Sequence, residues 1–157
     1  MKKLVKGGES LPEIECACAT ARRAARLLTQ LYDSELRPHL QASQFALLTA
    51  LDRRPGCNQS MLARALALDK TTLSRNLGLM ERNGWIAYAA AGDRRERGFR
   101  LTAAGRKLLQ TARPGWRRAQ SRLRSAMTSE QWDAMWRVLR NLTNAANRIR
   151  SPKGDTS

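Results

Sequence analysis

A chain of 157 residues carries 29 Lys and Arg against 13 Asp and Glu, a net charge of +16. A hydrophobic content of 42% excludes a disordered chain, and no apolar run nears the roughly 18 residues that span a bilayer. The excess charge is far beyond what solubility needs and points to an anionic partner, nucleic acid above all.

The first twelve residues are polar, with Gly7, Gly8 and Pro12, and read as a loose arm. MKKLVKGGES has no apolar core behind its lysines and so does not read as a signal peptide. The chain is therefore expected in the cytosol, with Cys16, Cys18 and Cys57 reduced. Over 13–36, Ile14, Cys18, Ala21, Ala25, Leu28 and Tyr32 recur at helical spacing, and Pro38 ends that helix. A second helix is predicted over 41–53, with Phe45, Leu48 and Leu51 on one face and Pro55-Gly56 as its stop. Asn58 is placed to cap a short helix over 59–67, and Asp69 to cap another over 70–83 that Gly84 closes.

After Gly84 the period changes. WIAYAA reads as a strand and GFRL as its return, with GDRRER between them. From Thr102 the pattern is helical to about residue 126, although Pro114-Gly115 should kink or interrupt it. Thr128 and Gln131 make a capping box for a last helix, on which Trp132, Met135, Trp136, Leu139, Leu142 and Ile149 form an apolar stripe. Such a stripe packs either on its own core or on a second subunit, where Trp is enriched. The final segment, 151–157, reads as a frayed end.

A short helix, a tight turn and a second helix match a helix-turn-helix. Leu62, Ala63 and Leu66 can pack on Leu73, Leu77 and Met80. Between those apolar positions stand Lys70, Thr71, Thr72, Ser74, Arg75 and Asn76, in the first turns, where a recognition helix meets DNA. Arg75 can bond guanine bidentately and Asn76 can pair with adenine, while Thr71, Thr72 and Ser74 suit phosphate oxygens. A solvated helix face would look similar, since helix hairpins are common. The two-stranded ribbon directly behind the second helix decides for a wing. Arg94, Arg95, Arg97 and Arg100 fall within seven positions of it, and arginine suits a narrow, negative minor groove. Arg95 reads as the inserting side chain, Asp93 as its orienter, and Arg94 and Arg97 as phosphate contacts.

The segments QFALLTAL, NQSMLARALALDKTTLSRNLGLMERNGWI and GDRRERGFRLTAAGRKLL resemble the MarR family of bacterial winged helix-turn-helix regulators. The last contains that family's D-x-R wing signature and the L-T-x-x-G that starts the next helix. The resemblance covers about residues 14–148. It implies a mainly α fold with a small β-hairpin wing, with 38–101 as the DNA-binding region and 13–37 plus 102–150 as helical dimerisation regions. It implies a homodimer on a pseudo-palindromic double-stranded operator, and a small ligand or an oxidant that alters DNA affinity. Ser60, Lys70, Thr72, Ser74, Arg75, Asp93 and Arg95 carry over as DNA contacts. Asn58 departs from the Thr usual there, and caps as well.

Two sensors are candidates. Family members that sense peroxide use a cysteine near the start of the first helix, where Cys16 and Cys18 lie, with Cys57 as a distant partner. On a continuous helix residues two apart point about 200° from each other, so Cys16 and Cys18 could pair only if the helix begins later. A cysteine on an apolar helix face is also commonly a small buried hydrophobe. Against that, the first turn of a helix with Arg22 and Arg23 nearby favours thiol reactivity. The other candidate is a small aromatic or phenolic anion lined by Arg26, Tyr32, His39 and Phe45. Trp132, Trp136 and Leu139 are the expected dimer contacts. With one histidine, no metal-ligand cluster and no Gly-rich phosphate loop, no enzyme activity, metal or cofactor is expected. A basic architectural protein without sequence preference is the competing reading, and the polar face of the second helix argues against it.

Overall fold

The computed structural model describes residues 15–89 and 98–150 of the chain. Six helices and a two-stranded antiparallel sheet follow in the order α1 (Ala17–Leu36), α2 (Ala42–Arg53), α3 (Gln59–Leu66), α4 (Lys70–Arg82), β1 (Ile86–Tyr88), β2 (Phe99–Leu101), α5 (Ala103–Ser125) and α6 (Ser129–Arg150). None of these helices is long and apolar enough to cross a membrane.

The local signals explain most boundaries. Asn58 Oδ1 accepts from the Met61 amide at 2.9 Å, and Asp69 Oδ1 from the Thr72 amide at 2.8 Å. Each satisfies an amide that a helix start leaves unpaired. Gln41 and Gln44 form a reciprocal box at the start of α2. The first amide of α2, at Ala42, donates to Asp33 Oδ1 of α1 at 2.6 Å, so the α1–α2 junction is tied by a side chain. Thr128 and Gln131 form the expected box before α6. Gly84 follows α4 at φ 69, the left-handed conformation that glycine takes without a Cβ clash.

The core is built from α2, α3, α4, the sheet and α5. Leu47, Leu48 and Leu51 of α2 are fully buried, together with Leu62, Leu73, Met80 and Ile86. Leu62 against Leu73, Leu77 and Met80 is the packing expected of the helix-turn-helix. The sheet pairs Ile86 with Leu101 and Tyr88 with Phe99. A bridge from Cys57 to Phe99 adds a third edge that the sequence pattern does not reveal.

Two expectations are corrected. The first helix begins at Ala17, not at 13, and Cys16 stands at its cap position in extended conformation. The Pro114-Gly115 pair does not interrupt α5, which runs through both residues. Pro114 forfeits one helical hydrogen bond, but the buried face of α5 continues across it through Leu109, Ala112, Gly115 and Ala119. This face lies on the end of α1 and on α2. A Cβ on Gly115 would stand 2.2 Å from the Glu35 carbonyl oxygen, so the two helices touch backbone to backbone there. Around that contact Glu35 receives Arg118 Nε at 2.9 Å and Arg122 Nη1 at 2.7 Å, and Asp52 of α2 receives Arg113 Nη2 at 2.9 Å.

Gly115→Ala is therefore expected to push α1 from α5 and lower stability by about 1–3 kcal/mol, the usual cost of overpacking. Chemical denaturation checks this, and an unchanged midpoint would mean that the crossing has room for a methyl group.

Candidate nucleic-acid interface

α4 divides cleanly into two faces. Leu73, Leu77 and Met80 are buried, whereas Lys70, Thr71, Thr72, Ser74 and Arg75 are exposed. The polar positions thus form one open surface backed by the core, as the sequence predicted. Asn76 differs in detail. It is half-buried and its Nδ2 donates to the Thr72 carbonyl at 3.1 Å, so one of its donors is engaged by the helix itself. Ser60, in the first turn of α3, is exposed.

The start of α4 is set by Asp69. Its carboxylate accepts from Thr72, and those hydrogen bonds hold its pKa below the ordinary value. The same geometry fixes where Thr71 and Thr72 point.

The ribbon is anchored at both ends. Ala89 donates to the Gly98 carbonyl at 2.8 Å, which continues the pairing one step beyond Tyr88 and Phe99. Asp93, Arg94, Arg95 and Arg97 lie outside the described residues. At the base, Thr102 Oγ1 reaches the Gly84 carbonyl at 2.6 Å and accepts from the Gly105 amide at 3.0 Å. Gly105 is needed at this junction, because a Cβ there would stand 2.0 Å from the Trp85 carbonyl oxygen.

The proposed sensor residues separate. A cavity of about 840 Å³ between α1, α2, α3 and α5 is lined by Tyr32 and Phe45, with Thr49, Arg113, Trp116 and Arg117. Trp116 stacks on Phe45 with ring centroids 6.1 Å apart. Burial raises the Tyr32 pKa above its ordinary value. The Thr49 hydroxyl is buried without a hydrogen-bond partner. Arg26 and His39 are exposed and do not line this cavity. Arg26 sits six residues from Tyr32, about 240° around the helix, and His39 lies in the α1–α2 link. Arg113 and Arg117, one turn apart on α5, and Trp116 between them are lining residues that the sequence pattern marks only as one helix face. Cys16 and Cys18 are exposed, and Cys57 is buried.

α6 buries none of its residues. Trp136, Val138, Leu139, Leu142 and Ile149 are all more than two-fifths exposed, and Leu27 of α1 is 55% exposed. Trp132 and Trp136 meet edge to face at 5.9 Å, and Arg124 lies over the Trp132 ring.

Known proteins share this architecture. The MarR family profile matches residues 40–96. Transcriptional regulator HosA of Escherichia coli O127:H6 is 30% identical over 108 residues, which are 68% of this chain and 80% of HosA. The crystal structure of the M. tuberculosis transcriptional regulator MosR in complex with DNA superimposes with a TM-score of 0.77 at 40% identity, covering 87% of this chain and all (100%) of that one. The transcriptional repressor CouR, bound to a 23-mer DNA duplex, gives 0.73 at 26% identity over 82% of this chain and 92% of its own.

The Asp69 cap yields a pH test. Its folded-state pKa is depressed below 3.8, so its stabilisation is present above the unfolded value and is lost as pH falls through the folded one. Asp69→Asn retains a capping oxygen without the charge. The stability gap between wild type and variant is expected to close as pH drops below 3.8; urea midpoints across pH check this, and a gap that persists in acid would refute it.

Proposed function

This chain belongs to the MarR family and is a DNA-binding transcriptional regulator, and from that premise we propose that it acts as a homodimeric repressor whose operator affinity is set by a small effector. The observation that carries the dimer is α6, a helix with two tryptophans and an aliphatic stripe that its own chain leaves uncovered. An exposed apolar face of that extent is suited to a second copy of itself, with Trp132, Trp136 and Leu139 at the contact. Two-fold symmetry would then present two α4 helices to successive major grooves of a pseudo-palindrome.

On DNA, Arg75 reads a base edge, and Ser60, Lys70, Thr71, Thr72 and Ser74 hold the phosphates that set register. Arg95 enters the minor groove, aimed by Asp93, with Arg94 and Arg97 on phosphates. Asn76 reaches adenine on release of its bond to Thr72.

The effector reading rests on the cavity. A small aromatic or phenolic anion would stack against Trp116 and Phe45, pair with Arg117 and satisfy the Thr49 hydroxyl. The cavity is walled by Tyr32 of α1, Trp116 of α5 and also Ala65 and Leu66 of α3. An occupant therefore touches both the dimerisation helices and the helix-turn-helix, and can alter the spacing of the two recognition helices. One observation favours cysteine oxidation as a second reading. Because α1 starts at Ala17, Cys16 is free of the helical geometry that would point it away from Cys18, and both thiols are exposed.

Binding to a defined operator with excess non-specific competitor tests the regulator. Arg95→Ala should weaken operator binding strongly while sedimentation still reports a dimer. Arg75→Ala should cost about 1–3 kcal/mol at one base pair and relax preference there; equal weakening on every sequence would make Arg75 a phosphate contact instead. For the sensor, a hydroxybenzoate should release the operator from wild type and much less from Trp116→Ala. A peroxide effect that a reductant reverses and Cys16→Ser abolishes would replace the ligand reading by the redox one.

A further inference from the structure

A second cavity, of about 770 Å³, adjoins the first at Ala50 of α2 and Ala65 of α3. Its wall carries Arg54, Arg64 and Arg150, with Asn147 and the buried Cys57 beside them. The three arginines come from three different places: the C-cap of α2, the last turn of α3 and the final residue of α6. Helix C-terminal ends suit cations, and that accounts for each one singly. It does not account for three around one cavity. The wall includes no acidic side chain, and among the described residues none of the three arginines has an ion pair. On α5, by contrast, Arg113, Arg118 and Arg122 all have carboxylate partners. Like charges brought to one concave wall repel one another more than on an open surface, because the protein replaces part of the screening water.

We infer that this cavity is a binding site for a small multivalent oxyanion, a phosphate- or carboxylate-bearing metabolite. Guanidinium groups bond such oxygens bidentately, and the Asn147 amide adds a neutral donor. The site adjoins the aromatic cavity, but its three arginines line this cavity and not that one. Its occupant would tie the end of α6 to the helix-turn-helix.

Calorimetric titration of the full chain with pyrophosphate, and separately with succinate, at constant ionic strength tests this. Saturable binding of at least one is expected, and which one binds assigns the site to phosphates, carboxylates or both. The double variant Arg64→Ala/Arg150→Ala, verified as folded by its melting curve, should lose affinity at least tenfold, whereas Arg140→Ala, on the exposed face of α6, should not. Absence of saturable binding, or binding unchanged in the double variant, would overturn the proposal. So would a double variant that loses only operator affinity, since that would assign these arginines to the DNA backbone.

Discussion

The hydroxyl of Thr102 stands where the three functional parts of the chain meet. Its oxygen accepts from Gly105 and so starts α5, while its proton goes to the carbonyl of Gly84 that closes α4. The Thr102 amide donates to the Trp85 carbonyl at the base of the ribbon. One residue thereby sets the direction of the recognition helix, the ribbon and the long helix relative to one another. The absence of a side chain at Gly105 completes the arrangement, because the Trp85 backbone occupies the place of a Cβ. The end of α4 and the start of α5 are thus tied through one side chain.

The far end of α5 is held by charge. Glu35 is mostly covered and takes two arginines of α5, which hold its pKa below the ordinary value. Asp52 takes Arg113. In a chain of net charge +16 carboxylates are scarce, and these two lie where α1 and α2 meet α5. Exposed ion pairs contribute little singly. Here they flank the backbone contact at Gly115, so they act with packing to fix one crossing. The polar face of α4 shows the opposite arrangement: Lys70 and Arg75 have no acidic partner among the described residues and remain available to phosphate.

Sequence legibility follows the range of the interaction. Asn58, Asp69 and Thr128 act within three residues of themselves, and each cap expected of them is present. The two faces of α4 follow from period alone. The start of α1 is not legible because Cys16, at its cap position, offers no side-chain cap bond and neither Gly nor Pro stands between Glu13 and Ala17 to mark an edge. Pro114 misled because its local cost is plain, whereas the packing of Ala112, Gly115 and Ala119 that keeps α5 continuous depends on partners far away. Glu35 and Arg118 are 83 positions apart, and no pattern in either segment announces the pair. Trp116 and Arg117 reach the cavity lined by Tyr32 and Phe45 from a distant segment, and no local pattern announces that meeting. Cys57 pairs with Phe99 as a single bridge, too short to carry any alternation.

The two cavities share a wall. Ala50 of α2 and Ala65 of α3 line both, so a small side chain of each helix faces the space between the two cavities, while Leu48, Leu51 and Leu62 pack the helices into the core. α3 carries the helix-turn-helix through Leu62, which is buried against α4. A group bound on either side would thus act on the same joint, and the linkage between the two would be reciprocal: whatever factor one occupant imposes on the other is returned in equal measure. An aromatic occupant would meet α3 from the cavity shared with α1 and α5, and an oxyanion would bridge α3 to the end of α6. Both proposed occupants would thus bear on one helix, α3, and through Leu62 on α4.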